Sequence, residues 1–160
     1  MKILVISDTH GSIDKTEEVI RENGKLDVII HLGDYIRDAE DISYIFPEIP
    51  VEAVMGNCDR MAGDLPSEKL LEYMGKRIFI THGHNYSVKW EYGKLYMKAA
   101  EMCADMVLFG HTHTAELVKD NGLILLNPGS LSEPRNSVYG SYAIVNIDRN
   151  GIDARIVYLD

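Results

Sequence analysis

Apolar residues fall into short runs along this chain, and most runs end at a cluster of glycine, aspartate, asparagine or histidine. Ile3-Leu4-Val5-Ile6 is unbroken, which predicts a strand over Lys2–Ser7 buried on both faces. The run stops at Ser7-Asp8 without a small-residue cleavage site, so it reads as a strand and not as a signal peptide. Asp14, with Glu17 three residues on, forms a capping box for a helix whose apolar face is Ile13, Val19 and Ile20. Gly24 is its natural stop. A strand over Asp27–Leu32, a helix around Asp38–Phe46 closed by Pro47 and Pro50, and a strand over Val51–Met55 follow. Strand and helix alternate here, as in a parallel sheet with helical crossovers.

The second half changes character. Lys69–Met74 and Arg77–Thr81 flank Gly75-Lys76 as a hairpin. Glu91–Ala104 carries Leu95, Ala99 and Met102 on one helical side, and Met106–Phe109 is the next strand. Glu116–Lys119 and Leu123–Leu126 pair around Asp120-Asn121-Gly122, and Tyr142–Ile147 and Asp153–Leu159 around Asn150-Gly151. A second sheet packed on the first, with helices outside both, is the expected α/β sandwich. No repeat or composition break divides the 160 residues, so one domain is expected.

The net charge of −9, with dispersed lysines and arginines, disfavours nucleic acid, whose phosphates need a basic stripe. Small phosphate esters stay open, because bound metal ions make a local site positive whatever the surface carries. No apolar run reaches the roughly 20 residues of a membrane span. Cys58 and Cys103 make no disulfide framework, which fits a reducing, cytoplasmic setting.

The chemistry lies where the runs end. Asp8-Thr9-His10 follows one strand and His111-Thr112-His113 another. In extended chain, residues i and i+2 face the same side, so each piece offers two metal ligands together. Gly33-Asp34, Gly56-Asn57-Cys58-Asp59 and Thr81-His82-Gly83-His84 each close a further apolar run. Asp34, after a glycine that permits a tight turn, is the candidate for a carboxylate shared by two metals. Mixed Asp, Asn and His ligation favours Mn, Fe, Co, Ni or Zn over Ca.

The order Asp-x-His, Gly-Asp, Gly-Asn, His, Gly-His-x-His resembles the calcineurin-like metallophosphoesterase superfamily over residues 6 to 130. Asn127-Pro128-Gly129-Ser130 and the lack of a cap domain resemble its compact bacterial and archaeal phosphodiesterase branch. The resemblance implies a four-layer αββα sandwich of two mixed sheets. It implies that Asp8, His10 and His113 hold one metal and that Asn57, His82 and His111 hold a second, with Asp34 bridging. Two divalent transition-metal ions are expected, manganese first, then nickel, cobalt, iron or zinc. The implied reaction is hydrolysis of a small phosphate diester by a hydroxide held between the ions.

Many larger members read Gly-Asn-His-Asp or Gly-Asn-His-Glu, with a histidine that resembles a general acid; here Cys58 stands in its place, followed by Asp59. Protonation of the leaving group is then expected to be weak, with Cys58, Asp59 and His84 as the candidates for it. Arg135, in Ser132-Glu133-Pro134-Arg135-Asn136, and Asn57 are candidate substrate contacts. His31, inside an apolar strand, and Cys103, beside apolar helix neighbours, read as core residues. Trp90, Tyr86, Tyr92 and Tyr96 read as core or an interface, and a homodimer or larger homo-oligomer is expected from the compact branch. Two alternatives stand beside the diesterase: a phosphomonoesterase of the same fold, and a non-catalytic scaffold like the retromer subunit that shares it. A metallo-β-lactamase-type hydrolase also uses His-x-His, but Thr114-Ala115-Glu116 replace its following Asp-His.

Overall fold

The computed structural model describes residues 1–59 and 63–160. Its first sheet contains β1 (Lys2–Ile6), β2 (Val28–His31) and β3 (Val51–Ala53) in parallel, with β9 (Ser141–Asp148) antiparallel to β1 and β10 (Gly151–Tyr158) antiparallel to β9. Its second sheet runs β4 (Glu68–Tyr73), β5 (Lys76–Thr81), β6 (Met106–Leu108), β8 (Leu123–Pro128), β7 (Ala115–Asp120). There β5, β6 and β8 are parallel, and β4 and β7 are antiparallel edges. Both sheets are mixed, and the expected sandwich is what forms.

Side-chain alternation sorts β1 into two cores. Ile3 and Val5 face Ile78, Ile80, Met106, Leu108 and Leu126 of the other sheet. Leu4 and Ile6 turn outward to α1 (Ile13–Glu22) and α2 (Ile36–Ile45), meeting Val19, Ile20 and Ile42. On the far side, Phe79, Val107 and Leu125 pack against Leu95 and Ala99 of α3 (Gly93–Glu101). The order is therefore helix, sheet, sheet, helix. This explains why the central strands are continuously apolar: each is covered on both faces.

Some local expectations give way. Ser12, not Asp14, occupies the cap position of α1, with no side-chain cap bond, and Asp14 lies inside the first turn. Packing of Ile13 beneath the partly buried edge of that core starts the helix earlier than the capping box implies. The helix expected over Asp38–Phe46 begins at Ile36, with Tyr35 before it in the left-handed region at φ 70°. That expected over Glu91–Ala104 is confined to Gly93–Glu101. Cys103 is exposed, not core: it takes φ 48° just past the end of α3, where the chain reverses and its side chain leaves the helix's apolar face. No helix among the described residues is long and apolar enough to cross a membrane.

Candidate metal centre

Parallel strands deliver their carboxyl ends to one edge, where open α/β sheets form sites. Asp8 follows β1, Asp34 follows β2, Asn57 follows β3, His82 directly follows β5, and His111 and His113 follow β6. Asp8 and His82 are fully buried, and Asp34 and His113 nearly so. His10 and His111 are half-buried, while Asn57 and Cys58 are exposed.

The paired ligands converge by a route that alternation does not provide. Asp8-Thr9-His10 and His111-Thr112-His113 lie beyond their strands. Asp8, His10, Asp34, His111 and His113 have φ of 52°, 46°, 54°, 70° and 56°, the left-handed region that non-glycine residues seldom enter. Each such residue costs on the order of 1 kcal/mol, so five at one edge form a strained site held by its surroundings.

Those surroundings are specific. Asp8 Oδ2 accepts bonds from Ser7 Oγ (2.6 Å) and the His111 N–H (3.0 Å). The carbonyl of Asp8 accepts Ser130 Oγ at 2.7 Å. Buried Asn127 donates to the Gly110 carbonyl (3.0 Å) and Thr112 Oγ1 (2.9 Å), bracing the second ligand loop. Thr9 points the opposite way into a buried network: its hydroxyl donates to Asp38 Oδ2 at 2.5 Å and lies 3.0 Å from His31 Nε2. The Gly33 N–H donates to His31 Nδ1, so His31 carries its proton on Nε2 and gives it to Thr9. His31 is the hydrogen-bonded core histidine expected. Several glycines are required by contact, two of them here. A Cβ on Gly56 would lie 2.2 Å from Asp34 Oδ1, and one on Gly110 would lie 2.0 Å from Ser7 Oγ.

Second-partner bonds orient two imidazoles as candidate metal ligands. His82 Nδ1 lies 2.7 Å from the Leu32 carbonyl and donates to it, leaving the Nε2 lone pair directed inward. His113 Nδ1 likewise donates to the Glu133 carbonyl at 2.9 Å. His82 Nε2 then faces Asp34 Oδ1 at 3.5 Å and Asp8 Oδ1 at 3.9 Å. His113 Nε2 faces Asp8 Oδ1 at 3.2 Å and His10 Nε2 at 3.4 Å. Two sets of ligand atoms thus gather within 4.8 Å: Asp8, His10 and His113, and Asp8, Asp34 and His82. Asp8 belongs to both. His111 lies beside the second set, its ring centroid 5.1 Å from that of His82.

Asp8 Oδ1 and His82 Nε2 are buried with no hydrogen-bond partner, as is His84 Nδ1. A buried polar atom left unpaired costs about 1–3 kcal/mol. Lone pairs converging on one another need a cation between them, so this donor set fits divalent metal ions. The proton affinities agree. Burial alone would raise the Asp8 carboxyl, but the nearby His113 and His82 imidazoles and the Ser7 bond outweigh it, and the net shift is downward. The neighbouring Asp8 carboxylate raises His113. Burial, then His82 and Lys89, push His111 down to about 4. Burial and His82 also lower His84.

The remaining sequence-predicted residues separate. Both Asp59 oxygens are occupied, by the Ile36 N–H (2.9 Å) and the Gly56 N–H (2.8 Å). The Cys58 N–H donates to Asp34 Oδ1 at 2.9 Å, and burial followed by Asp34 pushes its thiol up to about 11. His84 stands on a 3₁₀ turn, its ring 5.4 Å from that of His82. Arg135 is exposed, and its N–H donates to the His113 carbonyl at 3.0 Å. Tyr35, which no sequence pattern marks, stands edge-on to His10 at 5.1 Å.

The family model for the calcineurin-like phosphoesterase superfamily domain matches residues 1–150, and the chain belongs to that superfamily. The probable metallophosphoesterase YsnB of Bacillus subtilis is 34% identical over 157 residues, 97% of this chain and 89% of the relative. The phosphodiesterase YfcE of Escherichia coli (strain K12) is 30% identical over 173 residues, 92% of this chain and 89% of its own. Among solved structures, a predicted phosphoesterase from Streptococcus pneumoniae TIGR4 superposes with a TM-score of 0.83 at 33% identity, covering 98% of this chain and 88% of that one. The protein is thus a member of a metal-using phosphoesterase family, and its own residues offer the metal-binding groups.

Proposed function

We propose that the protein is a two-metal phosphodiesterase acting on a small phosphate diester. The observation that carries this is the meeting of two carboxylate–histidine sets at one buried edge, with Asp8 Oδ1 and His82 Nε2 unpartnered. Following the family order, one ion would take Asp8, His10 and His113 and the other Asn57, His82 and His111 with Asp34 between them, while in the gathered sets Asp8 is the carboxylate common to both. Bound there, two divalent ions would make a nucleophilic hydroxide at neutral pH and offset the charge on the phosphate. Manganese is the first expectation, with nickel, cobalt, iron and zinc accepted by the same donors. The similarity to a phosphodiesterase, YfcE, supports the choice of a diester over a monoester.

The chain's residues divide the work around the reacting phosphate. Leu32 and Glu133 carbonyls hold His82 and His113 in the ligand tautomer. Ser7 and the His111 N–H hold one oxygen of Asp8 so that the other faces inward. Asp59 is a positioning residue: its bonds to Ile36 and Gly56 pin the loop that bears Asn57 to the one that bears Asp34. Cys58, a thiol raised to about 11, is a poor proton donor at neutral pH. His84, its proton affinity lowered by burial and His82, stands beside the cluster and is suited to hydrogen-bond a phosphate oxygen. Asn57 and Arg135, both exposed, are the candidate substrate contacts.

With no strong acid at the leaving group, activated aryl esters should be cleaved fastest, and the rate should fall steeply as the leaving group becomes more basic. The test compares bis-(p-nitrophenyl) phosphate with p-nitrophenyl phosphate, in metal-free protein and with each candidate ion. Metal-dependent cleavage that favours the diester is the expected result. Preference for the monoester would make the protein a phosphomonoesterase, and two bound ions with no esterase activity would point to the scaffold role.

A further inference from the structure

Beside the histidine cluster lies a cavity of about 360 Å³ lined by Val88, Lys89, Tyr92, Thr112, Thr114 and Arg135. It adjoins the metal centre: Thr112 belongs to the loop of His111 and His113, and the Arg135 N–H donates to the His113 carbonyl at 3.0 Å. Its volume exceeds what one phosphate needs and falls in the range of small-molecule sites. Two cations face it in a chain whose net charge is −9.

The neutral donors of this cavity are already committed. Thr112 and Thr114 hydroxyls donate to one another's carbonyls, Thr112 Oγ1 also accepts from Asn127, and the Tyr92 hydroxyl donates to Glu116. Among the described residues, neither Lys89 nor Arg135 has a carboxylate within 4.0 Å, and Arg21, Lys69, Lys76 and Lys98 are the cations that do. The free hydrogen-bond donors are therefore an ammonium and a guanidinium, the pair suited to phosphate and carboxylate. We propose that this cavity is a second anion subsite: the ester cleaved at the metal centre carries a further carboxylate or phosphate, which Lys89 and Arg135 hold. This rests on the phosphoesterase reading and names the substrate class for it.

Two diesters with the same leaving group and nearly the same shape decide the matter: p-nitrophenyl p-carboxyphenyl phosphate and p-nitrophenyl p-carbamoylphenyl phosphate. Two exposed cations should give the carboxylate about a tenfold advantage in kcat/KM, shrinking as salt rises. Lys89→Met and Arg135→Met should each reduce that ratio, and the double variant should bring it near one. Calorimetric binding of p-carboxyphenyl phosphate against p-carbamoylphenyl phosphate, on protein as purified, should show the same preference and the same loss. A ratio near one in the unaltered protein, or a preference that survives the double substitution, overturns the subsite. If neither ester is cleaved, the phosphodiesterase reading fails, and the binding comparison still decides the subsite.

Discussion

Replacing Gly56 with alanine tests how tightly the centre is built. The added methyl would lie 2.2 Å from Asp34 Oδ1, 2.4 Å from the Asp34 backbone nitrogen and 3.0 Å from its Cγ. Ordinary carbon contacts need about 3.5 Å, so the Asp34 segment or the Gly56 backbone must shift by about 1 Å. Rotating the carboxylate away does not suffice, since the backbone nitrogen stays in the way. The shift breaks the bond from the Cys58 N–H to Asp34 Oδ1. Loss of a charge-assisted bond costs about 1.5–3 kcal/mol, and overpacking a further ~1–3 kcal/mol. At roughly 2–4 °C per kcal/mol for a chain of this size, the melting temperature should fall by about 10 °C. Thermal unfolding of metal-free protein reads this directly, and titration with manganese should show weakened binding where Asp34 contributes. Gly93→Ala is the control: it is helical, has a negative φ and meets nothing within 4 Å, so stability should hold or rise slightly. A Gly56→Ala protein that melts within about 2 °C of the original and binds metal equally well would refute the tight cradle.

Further consequences concern pH and the supporting bonds. In metal-free protein His111 titrates near 4, below its ordinary value of 6.5, so the unfolded chain binds more protons between those values. Melting temperature should therefore drop as pH falls through that window, and His111→Gln should flatten the slope. His113 shifts the other way, so its contribution is full below pH 6.5 and is lost as pH rises through its raised value; His113→Gln should weaken the decline above 6.5. Asp59→Asn puts an amide donor against one of two backbone N–H groups, costing about 1.5–3 kcal/mol in urea unfolding. An unchanged midpoint would remove Asp59 from its positioning role. Thr9→Val strips the buried His31 and Asp38 of a shared partner and should cost about 1–3 kcal/mol, with weaker metal binding at Asp8 and His10.

Much of this architecture is legible in the apolar pattern, for a physical reason. Strands covered on both faces must be continuously apolar, and the ligands must follow them because catalytic edges lie at strand ends. The pairing of Asp8 with His10, and of His111 with His113, is visible as spacing, but its cause is not. Extended geometry would have aligned them; instead the chain enters left-handed conformations that non-glycine letters do not advertise. Asp14 looks like a cap, yet packing of Ile13 decides where α1 starts. Cys103 sits among apolar neighbours in sequence, and only the reversal after α3 exposes it. The roles of Asp59 and Tyr35, and the meeting of Lys89 with Arg135, depend on residues brought together from distant segments. Local patterns do not encode such meetings.

The central claim is that two ions share this edge. The most direct test is calorimetric titration of chelator-stripped protein with manganese, beside His82→Ala and His113→Ala. The unaltered chain should take up two equivalents, with each variant losing affinity chiefly at a different one. A single equivalent, or none with any transition metal in folded protein, would contradict it.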